Sequence, residues 1–98
     1  MAVTSTEAGD TVTIQVIGRF DFATHRDFLN AYKDLPKGQK KFVVDLSGTE
    51  YMDSSAMGML LQLREHGDKS HPVELINGNE GIREILRIAN FDKLFKVA

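Results

Sequence analysis

The fold is decided by one stretch, Tyr51-Met52-Asp53-Ser54-Ser55-Ala56-Met57-Gly58. The apolar run 42–46 that precedes it is too short for a helix and rich in valine, which is typical of a β-strand. The segment 57–65 that follows has no proline and consists mostly of good helix formers. The stretch therefore predicts a strand, a polar turn and a helix, with Asp-Ser-Ser at the start of the helix.

The three polar residues at this turn, Asp53, Ser54 and Ser55, fit two interpretations. Their side-chain oxygens can accept hydrogen bonds from the unpaired N–H groups of the first helical turn, which is a purely structural role. The same N-terminus favours negative charge through its N–H groups and its dipole. A serine at this position can therefore carry a phosphate without disrupting the fold, and the turn alone leaves both roles open.

The composition is that of an ordinary soluble domain, and we expect one domain over residues 1–98. Hydrophobic residues make up 42% of the chain and charged residues 27%. There is no cysteine, so disulfides and cysteine-ligated metals are excluded. The sequence shows neither a signal peptide nor an apolar run of the roughly 20 residues that span a bilayer. The net charge of −2 gives no general attraction to nucleic acid or anionic lipid. We expect a cytoplasmic protein that binds another protein or a small molecule.

Two strands and a helix are predicted before the central stretch. Residues 11–17 alternate polar and apolar side chains, which indicates a half-buried strand. Residues 3–6 repeat this pattern more weakly, so the two segments form a β-hairpin. Thr24 and Asp27 have the spacing of a capping-box variant, and apolar residues at helical spacing then predict a helix over 24–34.

Helix and strand alternate through the rest of the chain. The central helix is predicted over 54–66, and a further strand over 72–77. Asn79 is placed to cap a third helix, and Asn90 to end it in a left-handed conformation. Residues 91–98 read as a short helical turn and the start of a last strand. This order predicts an α/β domain with parallel strands and an antiparallel hairpin at its beginning.

No pattern of residues indicates catalysis or a metal. The three histidines lack metal-ligand spacing: His25, His66 and His71. Three aspartates near predicted strand ends could meet and bind Mg²⁺, as in an aspartyl-phosphate receiver: Asp21, Asp45 and Asp53. However, 98 residues cannot hold the roughly fivefold βα repeat of a receiver. We therefore expect no enzyme activity, no metal and no cofactor.

The order of motifs resembles the STAS domain of anti-sigma factor antagonists, the small bacterial proteins of partner-switching systems. The resemblance covers nearly the whole chain and rests on four segments: Gly18-x-x-Asp21, Val43-Val44-Asp45-Leu46-Ser47, Asp53-Ser54-Ser55-x-x-Gly58 and the ending 88–95. It implies the STAS, or anti-sigma factor antagonist-like, fold. That fold has a mixed sheet of four to five strands with an N-terminal hairpin and three to four helices.

The resemblance also implies a switch. The serine directly after the aspartate is the family's phosphoacceptor, which here is Ser54. A serine kinase, often the anti-sigma factor itself, phosphorylates it, and a PP2C-type phosphatase reverses the change. The unphosphorylated form, expected to be a monomer when free, binds the anti-sigma factor. The partner should contact the ends of two strands and one stripe of the central helix, namely Asp21, Asp53, Ser54, Ser55, Met57 and Leu61.

The sequence departs from the family pattern at two positions. Ala56 and Met57 replace the usual glycine and leucine, and Ala56 adds a methyl group where a partner backbone could approach, which leaves the identity of the partner open. The stripe with Met57 and Leu61 is either ordinary core or an adaptable exposed patch. One alternative is a STAS module that is not phosphorylated and acts as a structural or transporter-associated subunit. A small enzyme is another, although no catalytic residues are found for it.

Overall fold

Seven strands build two sheets in the computed structural model, which describes residues 2–98. They are β1 (Val3–Ala8), β2 (Thr11–Val16), β3 (Gly18–Phe20), β4 (Lys41–Asp45), β5 (Thr49–Met52), β6 (Glu74–Ile76) and β7 (Lys96–Val97). The five-stranded sheet has the order β1-β2-β4-β6-β7, and β3 pairs with β5 in a separate two-stranded sheet. Only the β1–β2 hairpin is antiparallel; the other described pairings are parallel. The predicted mixed α/β sheet with an N-terminal hairpin is confirmed.

Three α-helices connect these strands, α1 (His25–Asn30), α2 (Ser54–His66) and α3 (Glu80–Ile88), with short 3-10 turns at Phe22–Thr24 and Phe91–Lys93. The Asn79 side chain accepts a hydrogen bond from the Ile82 backbone N–H at 2.8 Å, which caps α3 as predicted. Asn90 follows α3 with φ of 61°, the predicted left-handed conformation. Among residues 2–98, no helix is both long enough and apolar enough to cross a membrane.

The core lies between the large sheet and the inward faces of the helices. Alternation along β2 buries Val12, Ile14 and Val16 on one face, as the sequence predicts. The inward face of α2 is buried as well, through Ala56, Met59, Leu60 and Leu63. Because burying one aliphatic side chain contributes about 1.5–3 kcal/mol, these contacts fix the helix on the sheet. The position of the first turn of α2 is therefore set by packing along the whole helix.

An aromatic cluster joins β4 to the far end of α2. The Tyr32 ring centroid lies 6.0 Å from that of Phe42 and 5.1 Å from that of His66, both in edge-on geometry. The His66 Nε2 atom is 2.8 Å from the Leu35 carbonyl oxygen. His66 is therefore a half-buried packing residue at the end of the helix.

The first helix is shorter than predicted, and the predicted cap is wrong. A 3-10 turn over Phe22–Thr24 precedes α1, which ends at Asn30 instead of continuing to residue 34. Thr24 makes no side-chain cap; its buried hydroxyl donates to the Asp21 carbonyl oxygen at 2.7 Å. The Asp21 carboxylate accepts the Ala23 N–H at 3.0 Å instead. Asp21, the residue directly after β3, thus caps the 3-10 turn that begins this segment.

Strands β3 and β5 were not predicted from the sequence. Both are very short, and the predicted turn before the central helix in fact contains β5. Their inward residues Phe20 and Met52 are buried, while Arg19 and Tyr51 face outward. The pairing matters for the site because the two strands are parallel, with Phe20 opposite Met52. The loops that follow β3 and β5 therefore leave the small sheet at the same end.

Gly58 lies in the exposed part of α2 without a structural need for glycine. Apart from its chain neighbours and the backbone of its own helix, a Cβ added there would meet no heavy atom within 4 Å. We therefore expect Gly58→Ala to raise the free energy of unfolding by about 0.5–1 kcal/mol, because alanine restricts the unfolded chain and favours helix. Urea titration measures this change. Gly18→Ala is the matched control and should lose stability, since Gly18 has φ of 85°. A loss of stability in Gly58→Ala would contradict the interpretation.

Candidate functional site

Two aspartates leave the small sheet side by side. Asp21 directly follows β3 and Asp53 directly follows β5, and these strands run parallel with Phe20 opposite Met52. Since neighbouring strands lie about 4.8 Å apart, the two acidic residues emerge from one edge. The structure thus brings together the two loops that the sequence analysis assigned to a common site.

Asp53 caps helix α2. Its Oδ1 atom accepts the backbone N–H groups of Ser55 and Ala56 at 3.0 and 3.1 Å. The Ser55 hydroxyl donates to the same oxygen at 2.6 Å. These bonds stabilise the carboxylate, so they lower the pKa of Asp53, with the Ser55 hydroxyl as the largest cause and the charge of Arg19 as a smaller one. Asp53 therefore stays ionised at the start of the helix.

Ser54 and Ser55 have different environments although they are neighbours. Ser55 is half-buried, and its hydroxyl is held by Asp53. Ser54 is exposed, and among residues 2–98 its hydroxyl has no hydrogen-bond partner. Within that part of the chain, no histidine or carboxylate forms a hydrogen bond with the Ser54 hydroxyl. An exposed, free hydroxyl at a helix N-terminus is suited to carry a phosphate, because the N–H groups and dipole of the helix favour an anion there.

Arg19 lies beside the two aspartates and was not identified from the sequence. Its Nε atom is 3.2 Å from Asp21 Oδ2, and its guanidinium carbon is 3.9 Å from the centroid of the Tyr51 ring. Tyr51 itself is 40% exposed. The only signal in the sequence is that a polar or aromatic residue precedes an apolar one in each segment, Arg19 before Phe20 and Tyr51 before Met52. Two residues in each segment are too few to predict a pair of strands.

The outer face of α2 continues away from Ser54. Met57, Gly58 and Leu61 follow Ser54 at intervals of three, four and seven residues, so they share one side of the helix. Met57 is half-buried and packs against the core, whereas Leu61 is 39% exposed. The stripe of Met57 and Leu61 is thus partly core and partly exposed patch: Met57 packs against the core, and Leu61 is open to solvent.

Ala56 occupies a different position from the one expected. Its side chain is fully buried, and its N–H is held by the Asp53 cap. The methyl group therefore fills the core beneath the turn and does not lie where a partner backbone would approach. At this departure from the family pattern, the Ala56 methyl group lies in the core and not on the exposed surface of the turn.

The remaining candidate residues do not join the site. Asp45 accepts hydrogen bonds from the Ser47 N–H and from Asn77, and has no contact with Asp21 or Asp53. Within residues 2–98, no group of three or more histidine, aspartate or glutamate side chains is arranged to hold a metal ion. The receiver-like arrangement of three carboxylates is thus not formed. His25 stacks on the exposed Phe22 ring, with 5.6 Å between ring centroids.

The hydrogen bonds of the helix cap predict how the pKa of Asp53 changes when a hydrogen-bond partner is removed. Ser55→Ala should raise that pKa toward its ordinary value of 3.8, because the largest stabilising hydrogen bond is lost. Ser54→Ala is the control and should leave it unchanged. A ¹³C carboxyl titration by NMR measures both. Since the pKa is lowered in the folded state, Asp53 stabilises the fold above the unfolded-state pKa of about 4, and this contribution is lost as pH falls through the folded-state value. An equal shift in both variants would contradict the assignment of the cap.

Comparison with known proteins gives one family and several related folds. The family model described as Mlab, STAS domain matches residues 3–97. A STAS-domain-containing protein of Pseudomonas aeruginosa (strain UCBPP-PA14) is 45% identical over 101 residues, and the match covers all of both chains. These two matches concern sequence and extend over essentially the whole chain.

Solved structures show the same fold at low sequence identity. A Thermotoga maritima protein provisionally assigned as an anti-sigma factor antagonist has a TM-score of 0.82 at 22% identity, covering 97% of this chain and 84% of that one. The phosphorylated form of SpoIIAA, a cell fate determinant of Bacillus, has a TM-score of 0.67 at 19% identity, covering 99% of this chain and 91% of that one. The fold is therefore SpoIIAA-like. Taken with the match over residues 3–97, this places the chain in the STAS domain family.

Proposed function

We propose that this protein is an anti-sigma factor antagonist controlled by phosphorylation of Ser54. The observation that carries the proposal is the contrast at the start of α2: Ser54 is exposed with a free hydroxyl, whereas the Ser55 hydroxyl is bound to Asp53 at 2.6 Å. The cap does not depend on Ser54, so this hydroxyl is available for modification while the helix stays in place. The chain then acts as one binding domain.

The unphosphorylated form binds the anti-sigma factor through the turn and the adjoining face of α2. The proposed contact surface consists of Asp21, Asp53, Ser54, Ser55, Met57 and Leu61. Asp21 and Asp53 come from parallel strands that end together, and Met57 and Leu61 extend the surface along the helix. A partner covering this area releases its own target, the sigma factor or another regulator that it holds inactive.

A phosphate on Ser54 switches this binding off by local charge. Phosphorylation adds about 1.5 to 2 negative charges and three acceptor oxygens. The fold tolerates them because the N-terminus of α2 favours an anion by about 0.3–1 kcal/mol. A partner interface does not, because the dianion would be buried next to the carboxylates of Asp21 and Asp53. A serine kinase, in this class often the anti-sigma factor itself, adds the phosphate, and a PP2C-type phosphatase removes it.

Mass spectrometry tests the site of modification. The protein is incubated with ATP and an extract of its own host, and the intact mass should rise by about 80 Da, one phosphate. Tandem fragmentation should place the phosphate on Ser54. Ser55→Ala should still be modified, and Ser54→Ala should not. Modification on Ser55 or a histidine, or no modification at all, would instead favour a STAS module in which Asp53 simply caps a helix.

The interface makes a separate prediction. Leu61→Glu should weaken partner binding by more than about 1–2 kcal/mol, because a charge would be buried at a central apolar contact. The isolated variant should keep its stability, since Leu61 is already 39% exposed. Binding is measured by calorimetry and stability by urea titration.

Met57→Glu gives the comparison within the same stripe. Because Met57 is half-buried against the core, this variant should lose both binding and some stability. Full binding by folded Leu61→Glu protein would place the interface on another surface.

A further inference from the structure

Arg19 is held on two sides at the edge of the site. It lies opposite Tyr51 in the parallel pairing of β3 and β5, and the guanidinium carbon is 3.9 Å from the centre of the Tyr51 ring. On the other side, Nε is 3.2 Å from Asp21 Oδ2. The stacking and the ion pair together orient the plane of the guanidinium. Its position on the surface is thus set before any ligand arrives.

The guanidinium is also close to the serine turn. Phe20 and Met52 are the last paired residues of the two strands, and Ser54 follows Met52 by only two positions. The charge of Arg19 acts on Asp53, the residue directly before Ser54, and contributes to lowering the pKa of that carboxyl group. Arg19 is therefore a positive charge that acts on this turn.

Most of the hydrogen-bonding capacity of Arg19 is unused. Within residues 2–98, only Nε has an acceptor, and the two terminal amino groups have none. The side chain is 64% exposed, so these groups face solvent. A guanidinium fork with free terminal N–H groups matches the spacing of two phosphate oxygens. In the unphosphorylated site, neither Asp21 nor Asp53 accepts a hydrogen bond from these terminal N–H groups.

We propose that Arg19 is the intramolecular ligand of the phosphate on Ser54. This inference rests on the proposed function and adds the means by which the phosphorylated state is held. The terminal N–H groups of Arg19 donate to two phosphate oxygens, and the ring of Tyr51 keeps the guanidinium in place. Asp21 loses the Nε contact or shares it, but keeps its hydrogen bond from Ala23. The phosphate on Ser54 is thereby bound to the surface of its own domain.

This arrangement distinguishes two ways in which a phosphate can block a partner. A free phosphate repels an acidic partner and loses its hydration against an apolar one, but it stays mobile. A phosphate bound to Arg19 also removes the cation from the surface that the unphosphorylated protein presents. The site therefore changes from an exposed arginine with a neutral serine to a closed pair with excess negative charge, beside two carboxylates, Asp21 and Asp53.

The titration of the phosphate tests the contact. Phosphoserine is introduced at position 54 of the full chain by genetic encoding, so no kinase is needed, and its second pKa is followed by ³¹P NMR. An arginine partner favours the dianion and lowers this pKa from its usual value near 6. We expect Arg19→Gln to raise it by at least about 0.5 units relative to the unsubstituted protein.

Arg64→Gln is the matched control. It removes the same charge, but from the far end of α2, about 15 Å from Ser54 at a rise of 1.5 Å per residue. It should produce less than half of the shift seen with Arg19→Gln. Equal pKa values for the phosphate with and without Arg19 would overturn the proposal. So would an equal effect of Arg64→Gln, because the interaction would then be nonlocal.

A second measurement needs no variant at residue 19. The ¹⁵N resonances of the two terminal amino groups of Arg19 are compared in the unphosphorylated protein and in the protein with encoded phosphoserine at residue 54. Their shifts should change, and their N–H protons should exchange more slowly with solvent, when the phosphate is a dianion. Unchanged resonances would also overturn the contact. Both readouts are independent of the kinase, so a failure to find phosphate on Ser54 in host extract would refute the proposed function without deciding the pairing with Arg19.

Discussion

Phosphoserine at position 54 is expected to lower the affinity for the anti-sigma partner by a factor of hundreds or more. Leaving a charge buried without a partner costs about 3–5 kcal/mol, and each 1.4 kcal/mol is tenfold in affinity. The cost is high at this turn because Asp53, already ionised and capping the helix, lies directly beside Ser54. Arg19 can offset part of the charge within the protein, but the added dianion still exceeds its single positive charge.

Two variants separate the charge from the loss of the hydroxyl. Ser54→Ala should bind the partner constitutively, because it cannot be phosphorylated. Its free energy of unfolding should change by less than about 0.5 kcal/mol, because Asp53 and Ser55 form the cap and Ser54 does not. Ser54→Asp should bind weakly, although one charge imitates a phosphate only in part. Calorimetric titration with the purified partner measures both. Equal binding by Ser54→Ala and Ser54→Asp would contradict the electrostatic explanation.

Removal of the Leu60 side chain should have the largest effect on stability. Leu60 is fully buried on the inward face of α2, within the cluster that fixes the helix on the sheet. Leu60→Ala is expected to lower the free energy of unfolding by about 2–5 kcal/mol, through lost burial and the cavity that remains. For a small domain this is a large part of the total, which is about 5–15 kcal/mol. Urea titration of the two proteins gives the difference directly.

The adjacent leucine provides the control for Leu60. Leu61→Ala changes the same residue type one position away, but that side chain is 39% exposed. Its stability should differ from that of the original protein by no more than about 0.5 kcal/mol. If Leu60→Ala and Leu61→Ala were equally stable, the orientation of α2 described above would be wrong. The pair therefore tests which face of the helix belongs to the core.

The elements predicted well are those with long, regular patterns. Helix α2 was predicted over 54–66 and is observed over Ser54–His66, because a cap, an apolar stripe and a terminal Gly67 all agree. Strand β2 follows from strict alternation of polar and apolar residues, which has no competing interpretation. The third helix follows from the cap at Asn79. At these positions local preference and tertiary packing favour the same structure.

The elements that were missed depend on contacts distant in sequence. Strands β3 and β5 are three and four residues long, and their pairing joins segments about thirty positions apart, so neither has a pattern of its own. The first helix starts later than predicted because Asp21 and Thr24 form a 3-10 turn in place of the expected cap. It ends early because the N–H groups of Ala31 and Tyr32 donate to carbonyls three residues back, which replaces the α-helical pattern by turns. As with β3 and β5, the sequence located Asp21, Asp53 and Ser54 but not Arg19, whose role depends on facing Tyr51 across the strand pair.

The most direct test of the account measures one affinity in three forms of the protein. The kinase that modifies the protein is purified, and its dissociation constant is determined by calorimetry without ATP for unmodified protein, for encoded phosphoserine at 54 and for encoded phosphoserine at 55. We expect tight binding of the unmodified protein, and binding weaker by a factor of about 10² or more with phosphoserine at 54. Phosphoserine at 55 should also disturb the cap and lower stability, since Ser55 is held by Asp53. Equal affinity of the unmodified protein and the protein phosphorylated at Ser54 would contradict the account.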